Sequence, residues 1–441
     1  MRNKNPGRRA RATRRDFMRY SAAATAAVAA PYIVPATALG RDGAAPPSER
    51  IVVGMIGTGG MGSGHLDWLA GQNDLEVVAL CDVDAGHLDS ARKLAESKSG
   101  KTGIAAVHDF RELVGRSDVD AVFVVTPDHW HALASIAAVR AGKDVYCEKP
   151  LTNSIGEGRA LCNAVKEHGR VLQCGSHERS NPNVLRACEI VRSGRLGEVK
   201  TVRVFLPCDD PHHQEARSRK RVPAAVPKGF DYDFWLGPTP QVPYAENATH
   251  FWWRFNLHYG GGEITDRGAH IIDLAQLALG LDETGPTDVR AHGVQMTGGL
   301  YDAFLDFEFE NRYANGLRLI GEKTGPRGIR FEGEDGTLFV NIHGGKLEAN
   351  PESILSDGPP TEAADGYVPH RRDFFQAVRT RGKTRAGAEA AHRTATICQI
   401  NNVSMRLGRE LKWDPAAENF ENDAEANGFL LPPMRAPWNL G

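Results

Sequence analysis

Ile51-Val52-Val53-Gly54-Met55-Ile56 runs directly into Gly57-Thr58-Gly59-Gly60-Met61-Gly62. The apolar run reads as a strand buried on both faces. The glycines that follow read as a turn opening a helix. In that reading Gly57 permits the tight turn, Gly59 lets backbone approach a pyrophosphate, and Gly62 lets helix and strand pack closely. Thr58, Gly60 and Met61 complete a loop whose helix N-terminus presents N–H groups and a positive dipole end to an anion. A glycine pattern alone is weak evidence; its context makes it specific. A second apolar strand, Glu76-Val77-Val78-Ala79-Leu80-Cys81, ends at Asp82. That is about twenty residues past Gly62, where an acid bonds ribose hydroxyls. A carboxylate there repels a 2′-phosphate, which favours NAD and leaves NADP as the alternative. Arg92 is near in sequence but does not follow Asp82 directly.

Working outward, strands and helices alternate from Ile51 to Gly175. This predicts a doubly wound parallel sheet, a Rossmann domain spanning 49–176. The second half differs in texture. A helix near Pro182–Ser193, a strand Val199–Leu206 and a helix Thr265–Leu279 precede a run of strand-like segments from Asp288 to Asn341. The helices Tyr367–Thr380 and Ala388–Arg406 are expected to close this part. The pattern predicts an α/β domain over 177–415 with an open, largely antiparallel sheet and helices on one face. Pro207–Thr249, rich in proline, histidine and charge, reads as a long surface loop with His212 and His213 facing solvent. Residues 416–441 read as a loop-like tail.

The N-terminal segment, residues 1–40, stands apart. Thr13-Arg14-Arg15-Asp16-Phe17-Met18 precedes a short alanine-rich apolar stretch and a small-residue cleavage pattern at Ala36-Thr37-Ala38. This resembles a twin-arginine export signal, cleaved near Ala38 or retained. It implies the export machinery as a partner and a periplasmic location. Transport of a folded protein also raises the reading that a tightly bound cofactor travels with it. Met1–Ala38 carries eight Lys/Arg against one Asp, a net of +7, which leaves −9 for the rest of a chain whose total is −2. A mildly acidic remainder gives no hint of nucleic-acid or anionic-membrane partners. The seven cysteines are scattered without CxxC spacing and read as packed thiols rather than a disulfide framework or zinc site.

Ligands in such sheets bind beyond the C-terminal ends of the strands. Three segments are expected in that region: Thr126-Pro127-Asp128-His129-Trp130-His131, Glu148-Lys149-Pro150, and Gly260-Gly261-Gly262-Glu263-Ile264-Thr265-Asp266-Arg267-Gly268-Ala269-His270. Their order and spacing resemble the Gfo/Idh/MocA oxidoreductases, over nearly all of the chain beyond the signal. The resemblance implies nicotinamide-dependent oxidation or reduction of sugars, cyclitols and related polyols. It implies that Lys149, Asp266 and His270 are catalytic, that Thr126, Pro127, His131 and Glu148 lie with Lys149 at the nicotinamide, that no metal takes part, and that the chain assembles as a homo-oligomer, a dimer or tetramer.

The chemistry agrees with that set. Moving a hydride from a carbinol carbon requires removal of the hydroxyl proton by a base within hydrogen-bond reach. A partly desolvated lysine beside a cationic nicotinamide suits the task. Asp266 and His270, four apart on a predicted helix, face one way and can hold and relay a proton. Which of Lys149 and His270 is the base stays open. His250-Phe251-Trp252-Trp253-Arg254 is suited to stacking on a sugar ring and bonding its hydroxyls. Trp253 and Arg254, with Trp130 and His177, are the candidate substrate residues. Gly260-Gly261-Gly262 either lets backbone approach a ligand or forms a flexible loop. Three rivals to a plain dehydrogenase remain: a coupled sugar oxidoreductase that never releases its cofactor, an NAD-dependent glycosidase working by transient ring oxidation, and a non-catalytic nucleotide-binding subunit.

Overall fold

The computed structural model describes residues 46, 49–343, 346–356, 358 and 364–441. The segment read as an export signal lies outside them. From Ile51 the chain forms β1 (Ile51–Ile56), α1 (Gly60–Ala70), β2 (Leu75–Cys81), α2 (Ala85–Ser99), β3 (Ala105–Val107), α3 (Phe110–Val114), β4 (Ala121–Val124), α4 (His131–Arg140), β5 (Asp144–Cys147), α5 (Ile155–His168) and β6 (Leu172–Cys174). The strands form a six-stranded sheet in the order β3-β2-β1-β4-β5-β6, every pair parallel. The order reverses between β1 and β4, and the crevice at that switch point is where such sheets take a dinucleotide.

Local chemistry sets the element ends. Asp84 caps α2 by accepting from the Gly86 and His87 N–H groups, and Gly100 closes it in the left-handed conformation. Ser154 and Glu157 form a reciprocal capping box at the start of α5. Layering explains the unbroken apolar strands. β4 and β5 are buried throughout, and Phe123 of β4 stacks on Tyr146 of β5 at 4.6 Å.

The chain continues through α6 (Pro182–Arg192), β7 (Val199–Phe205), α7 (Pro211–Ser218), α8 (Tyr232–Leu236), α9 (Glu263–Leu279), β8 (Asp288–Gln295), β9 (Phe304–Arg312), β10 (Arg318–Glu322), β11 (Gly328–Gly333), β12 (Thr337–Asn341), β13 (Leu347–Asn350), α10 (Tyr367–Thr380), α11 (Ala388–Leu407), β14 (Leu411–Asp414), β15 (Asn419–Phe420) and α12 (Ala424–Asn427). The second sheet has nine strands in the order β13-β12-β11-β7-β10-β9-β8-β14-β15. Only β7 and β10 pair in parallel, so it is mixed but mostly antiparallel. The α/β fold of two sheets is therefore as expected.

Three local readings change. Pro207–Thr249 is not a plain surface loop. It contains α7 and α8, and Phe230, Tyr232, Trp235 and Leu236 are buried. Their aromatic surface outweighs the polar average of the segment, and it docks on the first sheet: Asp231 N–H donates to Val83 O at 2.9 Å and Ala85 N–H to Gly229 O at 2.9 Å. His213 does not face solvent; it is fully buried with Nε2 3.0 Å from Glu263 Oε2. Helix α10, expected to close the second half, lays Phe374 and Phe375 against Phe123 of the first sheet. The final residues are held too: Arg435 pairs with Asp233 at 2.6 Å, and Trp438 packs edge-on against Trp130 at 4.8 Å. All seven cysteines are buried and free. Among the described residues no helix is long and apolar enough to cross a membrane.

Candidate active site

A single cleft runs along the C-terminal ends of β1, β2, β4 and β5, lined at one end by Asp82 and Phe234 and at the other by Lys149 and Asp266. Its floor is the glycine turn. Gly57 has φ +89, and a Cβ there would lie 2.5 Å from Val125 O. A Cβ on Gly62 would lie 2.3 Å from Gly57 O. Both positions require glycine for the turn and for packing. Around Gly59 and Gly60 nothing lies within 4 Å of the missing Cβ, so backbone faces open cleft. Met61 is partly exposed beside them. Asp82 is fixed in place: its Oδ2 accepts from Thr58 N (2.8 Å) and Thr58 Oγ1 (2.9 Å), and its Oδ1 from Asp84 N (2.9 Å). Arg92 is turned to Asp89 at 3.0 Å and does not line the cleft. No guanidinium is thus offered to a 2′-phosphate from that position.

At the other end Thr126 and Pro127 form the wall, and Thr126 Oγ1 is buried without a partner. These residues fit a dinucleotide: an open glycine cradle at a helix N-terminus, a ribose-facing acid and an orphaned hydroxyl at the far end. His131 sits behind the wall. Its Nδ1 lies 2.8 Å from Pro150 O and its Nε2 2.9 Å from Thr126 O, so it ties the β4 and β5 turns together rather than touching the cleft. Burial pushes its pKa down. The Lys149-Pro150 bond is cis.

Glu148 is buried beneath Lys149. Arg371 Nε donates to His65 Nδ1 (3.0 Å), which leaves the ring proton on Nε2 to donate to Glu148 Oε1 (2.9 Å). Burial pushes the Glu148 carboxyl up, but the His65 hydrogen bond and the nearby cations overcome it and hold it at about 2. Gly175 makes room, since a Cβ there would lie 2.5 Å from Glu148 Oε1. Lys149 Nζ reaches Asp266 Oδ1 at 2.5 Å and Asp266 O at 3.1 Å. Arg254 Nε lies 3.3 Å from Asp266 Oδ2. Burial alone would raise the Asp266 carboxyl; Lys149 and Arg254 hold it well below the usual range. Arg254 also lies over the Trp253 ring at 4.6 Å, and both line the cleft.

Asp128 is the residue that sequence reasoning passed over. It lines the cleft among Lys149, Asp266 and Arg254, is 3 % exposed, and burial lifts its carboxyl well above the ordinary value. The signal was present, since Asp128 follows Thr126-Pro127 directly. Asp266 faces the cleft, but His270, one turn further along α9, is buried away from it. Its ring lies 4.8 Å from His177 and 5.3 Å from His343, and its Nδ1 has no partner. Burial, then the charge of Lys149, pushes its pKa well down. Asp273 does not join this group. It is held by Arg179 at 2.7 Å and by Thr394 at 2.8 Å.

The weaker substrate candidates separate. Trp130 stacks on Phe234 and donates Nε1–H to Trp235 O (2.9 Å), so it builds the aromatic wall near Asp82. His177 lies with His270 and Glu178. Trp252 leaves the cleft to stack on Tyr301. The three glycines are packed rather than loose: a Cβ on Gly260 would lie 2.8 Å from Trp253, and one on Gly261 2.2 Å from Thr265.

A parallel sheet with a glycine cradle, beside a mixed sheet whose helix hands an acid to a cleft lysine, defines a two-sheet dinucleotide-binding protein. Comparison with known proteins agrees. Residues 51–176 match the family model described as an oxidoreductase family NAD-binding Rossmann fold, and residues 184–440 match that family's C-terminal alpha/beta domain. The chain belongs to the Gfo/Idh/MocA oxidoreductase family. It is 32% identical over 331 residues to 1,5-anhydro-D-fructose reductase of Ensifer adhaerens, covering 71% of this chain and 84% of that one. It is 32% identical over 149 residues to inositol 2-dehydrogenase of Salmonella typhimurium, covering 33% of this chain and 42% of that one. Several such matches span only 42% to 65% of the relative's length. In fold it is similar to scyllo-inositol dehydrogenase of Lactobacillus casei, solved with NAD(H) and scyllo-inositol, at a TM-score of 0.60 and 17% identity over 82% of this chain and 99% of that one. Residues 51–176 of this chain are its NAD-binding domain.

Proposed function

We propose that this protein is a dehydrogenase that moves a hydride between NAD and a hydroxyl-bearing carbon of a sugar, cyclitol or related polyol. The observation that carries this reading is the Lys149–Asp266 pair at the end of β5, on the wall of the dinucleotide cleft. When bound, the nicotinamide supplies the hydride acceptor. The chain supplies the rest. Lys149, held by Asp266, bonds the substrate hydroxyl oxygen. His270, buried outside the cleft with an unpartnered Nδ1, meets the hydroxyl proton only by way of Lys149. Asp128, whose carboxyl burial pushes towards the protonated form, bonds a further substrate oxygen, and Trp253 with Arg254 covers the sugar ring. The similarity to an anhydrofructose reductase and to inositol dehydrogenases supports the substrate class.

A second reading adds cofactor retention, as in the coupled oxidoreductase. Gly229–Trp235 forms a strap across the Asp82 end of the cleft, bonded to Val83 and Ala85 and, through Asp231, to His108 at 2.9 Å. It supports a cofactor that stays bound, and so does export in the folded state. We further propose that residues 1–40 direct twin-arginine export to the periplasm and that the chain works as a dimer or tetramer.

The test is direct. Protein purified from cytoplasm without added cofactor is denatured, and released nucleotide is identified by mass. The intact protein is then mixed with a panel of sugars and cyclitols while reduced nicotinamide is followed by absorbance. Turnover only with added NAD identifies a plain dehydrogenase; a single reduction reversed by a second sugar identifies the coupled enzyme. Aglycone release without net reduction identifies the glycosidase. No nicotinamide reduction with any compound at saturating NAD overturns the reading.

A further inference from the structure

We propose that His177, Glu178 and His343 form a site for one divalent transition-metal ion of the zinc class, beside His270. The donors come from two parts of the chain. His177 and Glu178 sit in the single turn His177–Ser180 that follows β6, and they are 3 % and 2 % exposed. His343 lies in the turn between β12 and β13, with a left-handed backbone (φ 59) that few non-glycine residues adopt. Its own N–H, donating to Glu178 Oε1 at 3.2 Å, holds it there.

The spacings suit a metal site. His177 Nε2 lies 3.4 Å from Glu178 Oε1, and His343 Nδ1 lies 3.3 Å from the same oxygen. All three donor atoms fall within 4.8 Å of one another. Good N–H···O bonds are shorter, about 2.7–3.2 Å. Two donors sharing a tetrahedral ion at bond lengths of about 2.0–2.1 Å stand about 3.4 Å apart. The two contacts to Glu178 therefore match the separation of ligands around a common centre.

The donor chemistry agrees. Two imidazoles and one carboxylate are a zinc-type set that leaves a position open for water or substrate. Supporting contacts orient the donors: Asn181 Nδ2 donates to Glu178 Oε2 at 3.2 Å, and Tyr367 stacks on the His177 ring. Among the described residues no lysine or arginine pairs with Glu178. The comparable group Asp210–His212–His213 lacks this property, because Arg267 and Arg327 already neutralise Asp210. In Asp84–His87–His250 the aspartate is engaged in capping α2.

The site flanks His270 outside the residues that line the cleft, so the ion would tie the turn after β6 to the turn between β12 and β13 rather than meet the substrate. Metal binding does not depend on the dehydrogenase reading.

The experiment uses the full chain without an affinity tag. Metal content is measured as purified and after chelation. Zn²⁺, Co²⁺ and Mn²⁺ are then titrated singly by calorimetry, with visible absorption recorded for Co²⁺. The expected result is one equivalent of Zn²⁺ per chain and a tetrahedral Co²⁺ spectrum. His343→Ala, at a half-exposed position, is expected to weaken Zn²⁺ binding by about 100-fold or more while NAD binding stays within a few-fold. Glu178→Gln is expected to do the same, with thermal melting reporting whether it still folds. No stoichiometric metal in either preparation, or unchanged affinity in folded His343→Ala, overturns the proposal. Stoichiometric zinc in a protein that binds no NAD would instead overturn the dehydrogenase reading.

Discussion

Lys149 and Asp266 are 117 positions apart and meet at 2.5 Å, one from the end of a Rossmann strand and the other from a helix of the second sheet. The cleft is complete only when both sheets are folded, because the first half supplies the lysine and the second the carboxylate that holds it.

That pairing gives the first prediction. Lys149→Ala should lower kcat by about 10²–10⁴-fold, the usual worth of a positioned proton-transfer group. NAD affinity should change by only a few-fold, since the glycine cradle is untouched. Steady-state kinetics with a cofactor titration checks both. A kcat within three-fold of the parent, on about the same scale as measurement scatter, would remove Lys149 from the mechanism.

Asp128 is the next case. Its carboxyl is raised well above the ordinary value, first by burial and then by the nearby Asp266 charge against the pull of Lys149, which favours the protonated form. Asn has the same shape and also donates. Asp128→Asn should therefore keep activity within about ten-fold, whereas Asp128→Ala should lose more. Equal and severe loss in both variants would mean that the charged form is needed.

Asp82 should set cofactor choice. Removing its carboxylate in Asp82→Ser should raise the ratio of NADP to NAD affinity by about ten-fold or more. Absolute NAD affinity should fall as well, because Asp82 also anchors Thr58 in the glycine loop. Fluorescence titration with the two reduced cofactors reads the ratio; an unchanged ratio would contradict the assignment.

Buried neutral histidines predict acid sensitivity. His370 is pushed down to about 3 and His129 to about 4, each mainly by burial. His370 Nε2 donates to Cys174 O at 2.8 Å, and His129 Nε2 to Trp235 O at 2.8 Å. Their folded pKa values lie below that of the unfolded chain. Below about pH 6.5 the unfolded chain takes up protons that the folded chain refuses, so stability falls with acidity. At pH 5 the loss should be about 2 kcal/mol for each ring. Chemical denaturation at pH 7.5 and 5.0 measures it, and His370→Asn should shrink the difference. Constant stability over that range would show that the rings are not buried neutral.

Arg179 predicts a stability defect away from the chemistry. Its side chain is 1 % exposed and bonds Asp273 through Nε and Nη2, both at 2.7 Å. It thereby locks α9, which carries Asp266 and His270, to the turn that carries His177. Arg179→Met leaves Asp273 buried without its cation, with Thr394 as its remaining partner, and also strips Asp282 of its guanidinium, which should cost about 3–5 kcal/mol. Urea denaturation checks this, and the double variant Arg179→Met, Asp273→Leu should recover part of the loss.

Much of the first half was legible in the chain. The apolar runs of β1, β2, β4 and β5 needed only their own period, and Gly57 and Gly62 needed only local geometry. The second half was less legible. Strands β13, β14 and β15 are short, and their pairing depends on partners far along the chain. The strap at 229–235 was hidden because its aromatics are diluted by proline and charge.

By itself the sequence determined the cofactor cradle and the fold class, and it singled out the segments that carry Lys149 and Asp266. Strand burial, turn conformation and helix spacing are properties of neighbouring residues. Only the tertiary structure decided that Lys149 pairs with Asp266, that Asp128 is buried beside them, that Trp130 belongs to the aromatic wall, and that His177 and His343 converge on Glu178. Those relations join residues from separate elements, and their energies come from desolvation and charge at contacts that exist only after the two sheets have packed.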